Sequence, residues 1–79
     1  MIVKPLSAET TLSANSTVSD ASCVRIYNDS GSDALITNET TTGSFTLPNG
    51  AITFVKKTST DELSSSGNVK ATSVAFAIS

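Results

Sequence analysis

Three short runs constrain this chain more than anything else in it. Cys23-Val24-Arg25-Ile26-Tyr27-Asn28 and Ser44-Phe45-Thr46-Leu47, followed by Ile52-Thr53-Phe54-Val55-Lys56, place apolar residues at every second position. Side chains alternate between the faces of a strand, so this period marks half-buried β-structure, and helical spacing is hard to find anywhere in the chain. Stretches rich in Ser, Asn, Asp and Gly interrupt the runs about every ten residues, the rhythm of a sandwich or small barrel. The expected fold is therefore all-β: a small antiparallel β-sandwich or flattened barrel of about six to seven short strands.

Along the chain, Val24 and Ile26 are expected to face the core, with Arg25 and Tyr27 facing out. Asp29-Ser30-Gly31-Ser32-Asp33 is turn chemistry. The next run is a short strand over residues 34–37, with Leu35 as its main apolar residue. Phe45 and Leu47 share one face; beyond the loop Ile52 and Phe54 share one and Val55 takes the other. Leu47-Pro48-Asn49-Gly50 reads as a reverse turn, since Pro presets φ while Asn and Gly accept left-handed conformations, and it is expected to close a hairpin. Ser59-Thr60-Asp61-Glu62 fits a capping box, yet no helical apolar run follows, so one turn of helix is the most it supports. Leu63 is expected to anchor that crossing. In the closing run Val69 and Ala71 point one way, and Val74, Phe76 and Ile78 the other, which predicts a bulge or bend near Thr72-Ser73. Residues 1–12 form an edge strand or a free arm, with Pro5 ending the run, and residues 13–79 form the sandwich domain, with residues 13–22 as a loop.

A chain of 79 residues makes one domain that removes only about 60% of its unfolded surface from water, so it needs further support. One cysteine, Cys23, makes no internal disulfide, and with no histidine in the sequence the ligands of structural zinc are missing. Homo-oligomerisation or docking in many copies on a larger assembly is what remains. The absent imidazole also removes the Ser-His-Asp and Cys-His routes to catalysis. Cys23 reads as a buried structural thiol. The pairs Asp29/Asp33 and Asp61/Glu62 lie in turns, where solvation denies them the enclosure that raises a carboxyl pKa. Asp29 to Asp33 spaces its oxygens as a calcium loop does, but lacks the bidentate Glu at its end. No glycine-rich phosphate loop is present. The chain is thus expected to be no enzyme, with no cofactor and no metal.

The formal net charge is −2 and no basic run appears, which disfavours nucleic acid as a partner. No segment approaches the ~20 apolar residues that span a bilayer, and the N-terminus lacks a signal-peptide apolar region, so neither a membrane nor export is expected. Lys56-Lys57 reads as one outward and one edge-facing lysine that discourages aggregation. Asn15, Asn28 and Asn38 each begin an Asn-x-Ser/Thr triplet, but about a third of the chain is Ser or Thr, so such triplets arise by chance. Ile2, Val3 and Leu6, apolar and outside the patterned strands, are the expected partner contacts.

Four pieces in order carry a family resemblance: Cys23-Val24-Arg25-Ile26-Tyr27-Asn28; Gly43-Ser44-Phe45-Thr46-Leu47-Pro48-Asn49-Gly50; Lys57-Thr58-Ser59-Thr60-Asp61-Glu62-Leu63; and Val69-Lys70-Ala71-Thr72-Ser73-Val74-Ala75-Phe76. Together they resemble small virion structural proteins of tailed bacteriophages, with Ser59 standing where that group has a proline. The resemblance implies a β-sandwich that decorates or cements the capsid, binding the major capsid protein, and a location in the virion after synthesis in the host cytoplasm. It carries over no catalytic residue. The alternatives are a neck- or tail-associated or receptor-binding adhesive domain and a small host-directed inhibitor.

Overall fold

The computed structural model describes residues 2–77, with side chains over residues 4–75. Eight strands follow in order: β1 (Ile2–Pro5), β2 (Thr10–Leu12), β3 (Cys23–Tyr27), β4 (Ala34–Asn38), β5 (Ser44–Leu47), β6 (Ile52–Lys56), β7 (Leu63–Ser65) and β8 (Val69–Ala77). All pairings are antiparallel, in two sheets. The larger runs β1-β8-β3-β6, with β2 also on β8, and the smaller runs β5-β4-β7. An all-β fold is thus present, with β2 and β7, three residues each, beyond the expected strand set.

β8 organises the larger sheet. Its first part pairs with β2, from Leu12↔Val69 to Thr10↔Ala71, and its last part with β1, from Pro5↔Val74 to Ile2↔Ala77. On its other side β3 runs uninterrupted from Tyr27↔Lys70 to Val24↔Ser73. The phase change near Thr72-Ser73 is therefore not a bulge in β8. The excursion belongs to the chain between β1 and β2, where Leu6 N–H donates to the Ser73 carbonyl at 2.8 Å and the Ser7 and Ser73 hydroxyls lie 2.9 Å apart. That covering segment explains why Val74 is buried on the face opposite Val69 and Ala71. It also makes β1 an edge strand on its own chain.

Between the sheets lie Leu12, Val18, Ala21, Val24, Ile26, Ala34, Ile36, Leu47, Leu63, Val69 and Ala71, with Ala51 and Val55 packed against them. Val24, Ile26 and the anchor Leu63 sit as their alternation requires. β4 does not: Ala34 and Ile36 face the core and Leu35 is exposed. Residues 13–16 close one side of the sandwich, as Ser16 and Leu63 exchange backbone bonds of 2.9 and 2.8 Å and Ser65 N–H reaches the Ser13 carbonyl at 3.0 Å. Val18, Ser19 and Asp20 follow with φ of 51°, 60° and 55°. Such a left-handed turn costs L-residues about 1–2 kcal/mol each and persists here with Val18 buried in the core.

The opposite side is closed differently from the expectation. β5 pairs with β4 and β6 with β3, so Pro48-Asn49-Gly50 carries the chain from one sheet to the other and closes no hairpin. The turn itself is real, shifted by one residue: Ala51 N–H donates to the Pro48 carbonyl at 3.0 Å, and Gly50 takes φ +84° at its third position. Likewise 58–61 is a single turn, Asp61 N–H to the Thr58 carbonyl at 2.9 Å, with no helix.

Candidate interaction surface

Cross-strand partners point to the same side of a sheet. The pairs Tyr27↔Ile52, Arg25↔Phe54 and Cys23↔Lys56 therefore share the face of the larger sheet that turns away from the core, and Lys70 and Thr72 of β8 continue it. On that face Ile52 is 52% and Phe54 42% exposed, on an edge strand. Arg25 is drawn aside to Glu9 at 3.3 Å; Lys70 Nζ donates to the Thr11 hydroxyl at 3.3 Å. At its far end the face opens into a shallow notch of about 500 Å³ lined by Leu6, Ser22, Cys23, Lys56, Val74 and Ala75. Cys23 and Lys56 belong to both face and notch, so the two adjoin through a half-buried thiol and an exposed lysine. Burial pushes the Cys23 thiol above its ordinary pKa, against a smaller opposing effect of its hydrogen bond with the Val24 backbone. That thiol is half-buried at the rim rather than buried, and its raised pKa keeps it a poor nucleophile.

Of the expected contacts, Leu6 is 57% exposed at this notch. Ile2 and Val3 pair through their backbones with Ala77 and Phe76, and their side chains lie outside the described ones. Ile52 and Phe54, expected only to share a face, are exposed as well, as are Leu35 and Phe45 on the smaller sheet. β1 contributes through its own sheet and not as an arm.

Two asparagines hold the loops that flank the sandwich. Asn28, fully buried, donates from Nδ2 to the carbonyls of Ser32 and Leu47, both at 2.8 Å, and accepts at Oδ1 from the Ser30 N–H at 3.0 Å and hydroxyl at 2.7 Å. Its backbone N–H donates to the Ala51 carbonyl and its carbonyl accepts from Gly50 N–H. Asn38 repeats the local device: Oδ1 accepts from Thr40 and Thr41 N–H at 3.0 and 3.1 Å, and Nδ2 donates to Asp61 Oδ2 at 3.2 Å. The Asn-x-Ser/Thr triplets at Asn28 and Asn38 are thus Asx turns, in which the third residue's N–H returns to the asparagine side chain. Sequence reasoning set these triplets aside as chance; the turn chemistry was the signal that could have found them. Their carboxamides are committed to internal bonds, which leaves them poor glycan acceptors.

The corner after β6 departs from its expected character. Lys57 is only 6% exposed and donates from Nζ to the carbonyls of Thr58 and Ser59 at 3.3 and 3.4 Å. Burial lowers its pKa, and the charges of Asp61 and Asp20 partly offset that. It is therefore no edge-facing gatekeeper. Asp61, expected in a solvated turn, is also buried and accepts from Thr58 N–H at 3.1 Å as well as from Asn38. Its neighbour Glu62 is exposed, as are Asp29 and Asp33, so the two carboxylate pairs form no enclosed acid-base site.

Among the described residues no group of three or more His, Cys, Asp or Glu could hold a metal ion, and no helix is long and apolar enough to cross a membrane. Comparison of the chain with protein-family models, with characterised proteins and with solved structures found no match.

Proposed function

We propose that this chain is a non-enzymatic structural component of a tailed-phage virion, docking in many copies on the major capsid protein through the outward face of β3 and β6. The observation that carries the docking part is the pair Ile52 and Phe54, exposed on the same face of an edge strand, which meets the notch holding Leu6 at Cys23 and Lys56. Monomeric proteins protect such edges with proline, charge or brevity. β1 has Lys4 and Pro5, while β2 and β7 are three residues long. β6 has five residues and a lysine only at its end, and β5 four with neither proline nor charge, so covering by a partner is the protection left to these two edges. The virion part is supported by the ordered resemblance of the four sequence pieces and by the small core, which gains stability whenever a partner binds the folded state alone.

The test is quantitative mass spectrometry of purified particles made with the parent chain and with Phe54→Lys. A capsid decoration role requires the parent in fixed proportion to the shell protein and the variant folded but depleted from particles. A few copies per particle would move the reading to a neck, tail or receptor-binding position. Complete absence from particles would end it.

A further inference from the structure

Asn49 is followed by Gly50, the pairing most open to a particular self-reaction. A glycine nitrogen carries no neighbouring Cβ to hinder it, so it can close on the preceding asparagine side chain. In that reaction the Gly50 nitrogen bonds to Asn49 Cγ, the Cγ–Nδ2 bond breaks, and ammonia leaves with the proton the Gly50 nitrogen gives up. Water then opens the five-membered imide at either carbonyl. One opening gives an ordinary aspartate; the other carries the main chain through the side-chain carboxyl.

In the folded chain both reacting groups are engaged. Gly50 N–H donates to the Asn28 carbonyl at 2.7 Å. Asn49 Oδ1 accepts from Gly31 N–H at 3.0 Å, and Asn49 N–H donates to Asp33 Oδ1 at 3.3 Å. The turn is closed behind them by the bond from Ala51 N–H to the Pro48 carbonyl at 3.0 Å. Loops 28–33 and 48–51 thus form one clasp across the two sheets, with the buried Asn28 side chain tied to the Leu47 carbonyl at its centre. Taking the proton from Gly50 forfeits its bond to Asn28, and swinging Cγ toward that nitrogen forfeits the bond to Gly31.

We propose that Asn49 is a conformation-gated modification site: the clasp keeps Asn49-Gly50 inert while closed, and its opening permits loss of ammonia and formation of a carboxylate that hinders reclosure. The new charge arises beside Asp33, whose carboxylate already faces residue 49, and like charges at this range repel. The rerouted main chain adds one backbone carbon and displaces Gly50 N–H from the Asn28 carbonyl. A transient local opening is thereby converted into a permanent one.

The experiment incubates the full-length chain at mildly alkaline pH, with and without unfolding urea, and follows residue 49 by peptide mapping with mass spectrometry. Conversion in the folded chain is expected to be at least about tenfold slower than in urea, the suppression that an opening free energy of ~1.4 kcal/mol produces. Asp33→Ala, at an exposed position, should bring the folded rate toward the unfolded one, and Gly50→Ala should slow conversion in urea. Converted protein should unfold at lower urea than the parent. Equal rates in the folded and unfolded chains would overturn the gating, and an unchanged urea midpoint after conversion would overturn the hindered reclosure.

Discussion

Asn28 Nδ2 and the Leu47 carbonyl meet at 2.8 Å, joining the end of a strand in the larger sheet to the end of a strand in the smaller one. Every polar atom of Asn28 has a partner. A polar residue at the end of an apolar run therefore carries part of the inter-sheet closure.

Asn28→Ala should destabilise the domain by about 3 kcal/mol, because it leaves the Leu47 and Ser32 carbonyls and the Ser30 N–H without their partner. Asn28→Asp should cost more, since a carboxylate oxygen replaces Nδ2 against two carbonyls. Urea unfolding of the two variants measures this; a loss below ~1 kcal/mol for both would show that water replaces the side chain fully.

Lys57 stands on the other side of the ledger. Replacing a buried ammonium by an apolar group of similar length is often neutral or stabilising, so Lys57→Met is expected to gain about 1 kcal/mol at neutral pH. Because the folded-state pKa lies below the ordinary 10.5, the folded chain binds fewer protons than the unfolded one just below that value. Stability of the parent should rise with pH through this window, and the rise should be absent in Lys57→Met. Urea midpoints measured from neutral pH upward check both statements.

Asp61→Ala should act in the opposite direction to Lys57→Met. It strips the acceptor from Thr58 N–H and Asn38 Nδ2 and removes a charge that favours the buried ammonium, at a cost of about 2–3 kcal/mol. In the Lys57→Met background the loss should shrink, and a double-mutant cycle with no coupling would contradict the electrostatic link.

Neighbours on β4 should respond unequally. Ile36→Ala opens a cavity among core residues and should cost about 2–5 kcal/mol, whereas Leu35→Ala, on the exposed face, should stay within about 1 kcal/mol. Thermal or urea unfolding of the pair tests the face assignment directly; equal losses would mean that Leu35 is covered.

Gly50→Ala should destabilise by about 1–2 kcal/mol, for a conformational reason alone. The residue holds φ +84°, and an added Cβ would meet nothing within 4 Å, so steric crowding contributes nothing. A Gly50→Asn variant, which tolerates the left-handed region better, should lose less.

The residue order by itself determined that this protein is β-structure, where its main strands fall, which side chains share a face, and that Leu63, Val24 and Ile26 belong inside. Period-two alternation is a local property, so it survives any arrangement of the strands. Which face is covered depends on what packs against it. That choice put Leu35, Ile52 and Phe54 outside, led Pro48-Asn49-Gly50 between sheets instead of back along one, and buried Lys57 and Asp61 in a corner that reads as solvated. The exposed apolar face of the proposed site was illegible for the same reason: Ile52 and Phe54 alternate as core residues do, and only the tertiary arrangement, by placing β6 at an edge with this face turned from the core, made them surface.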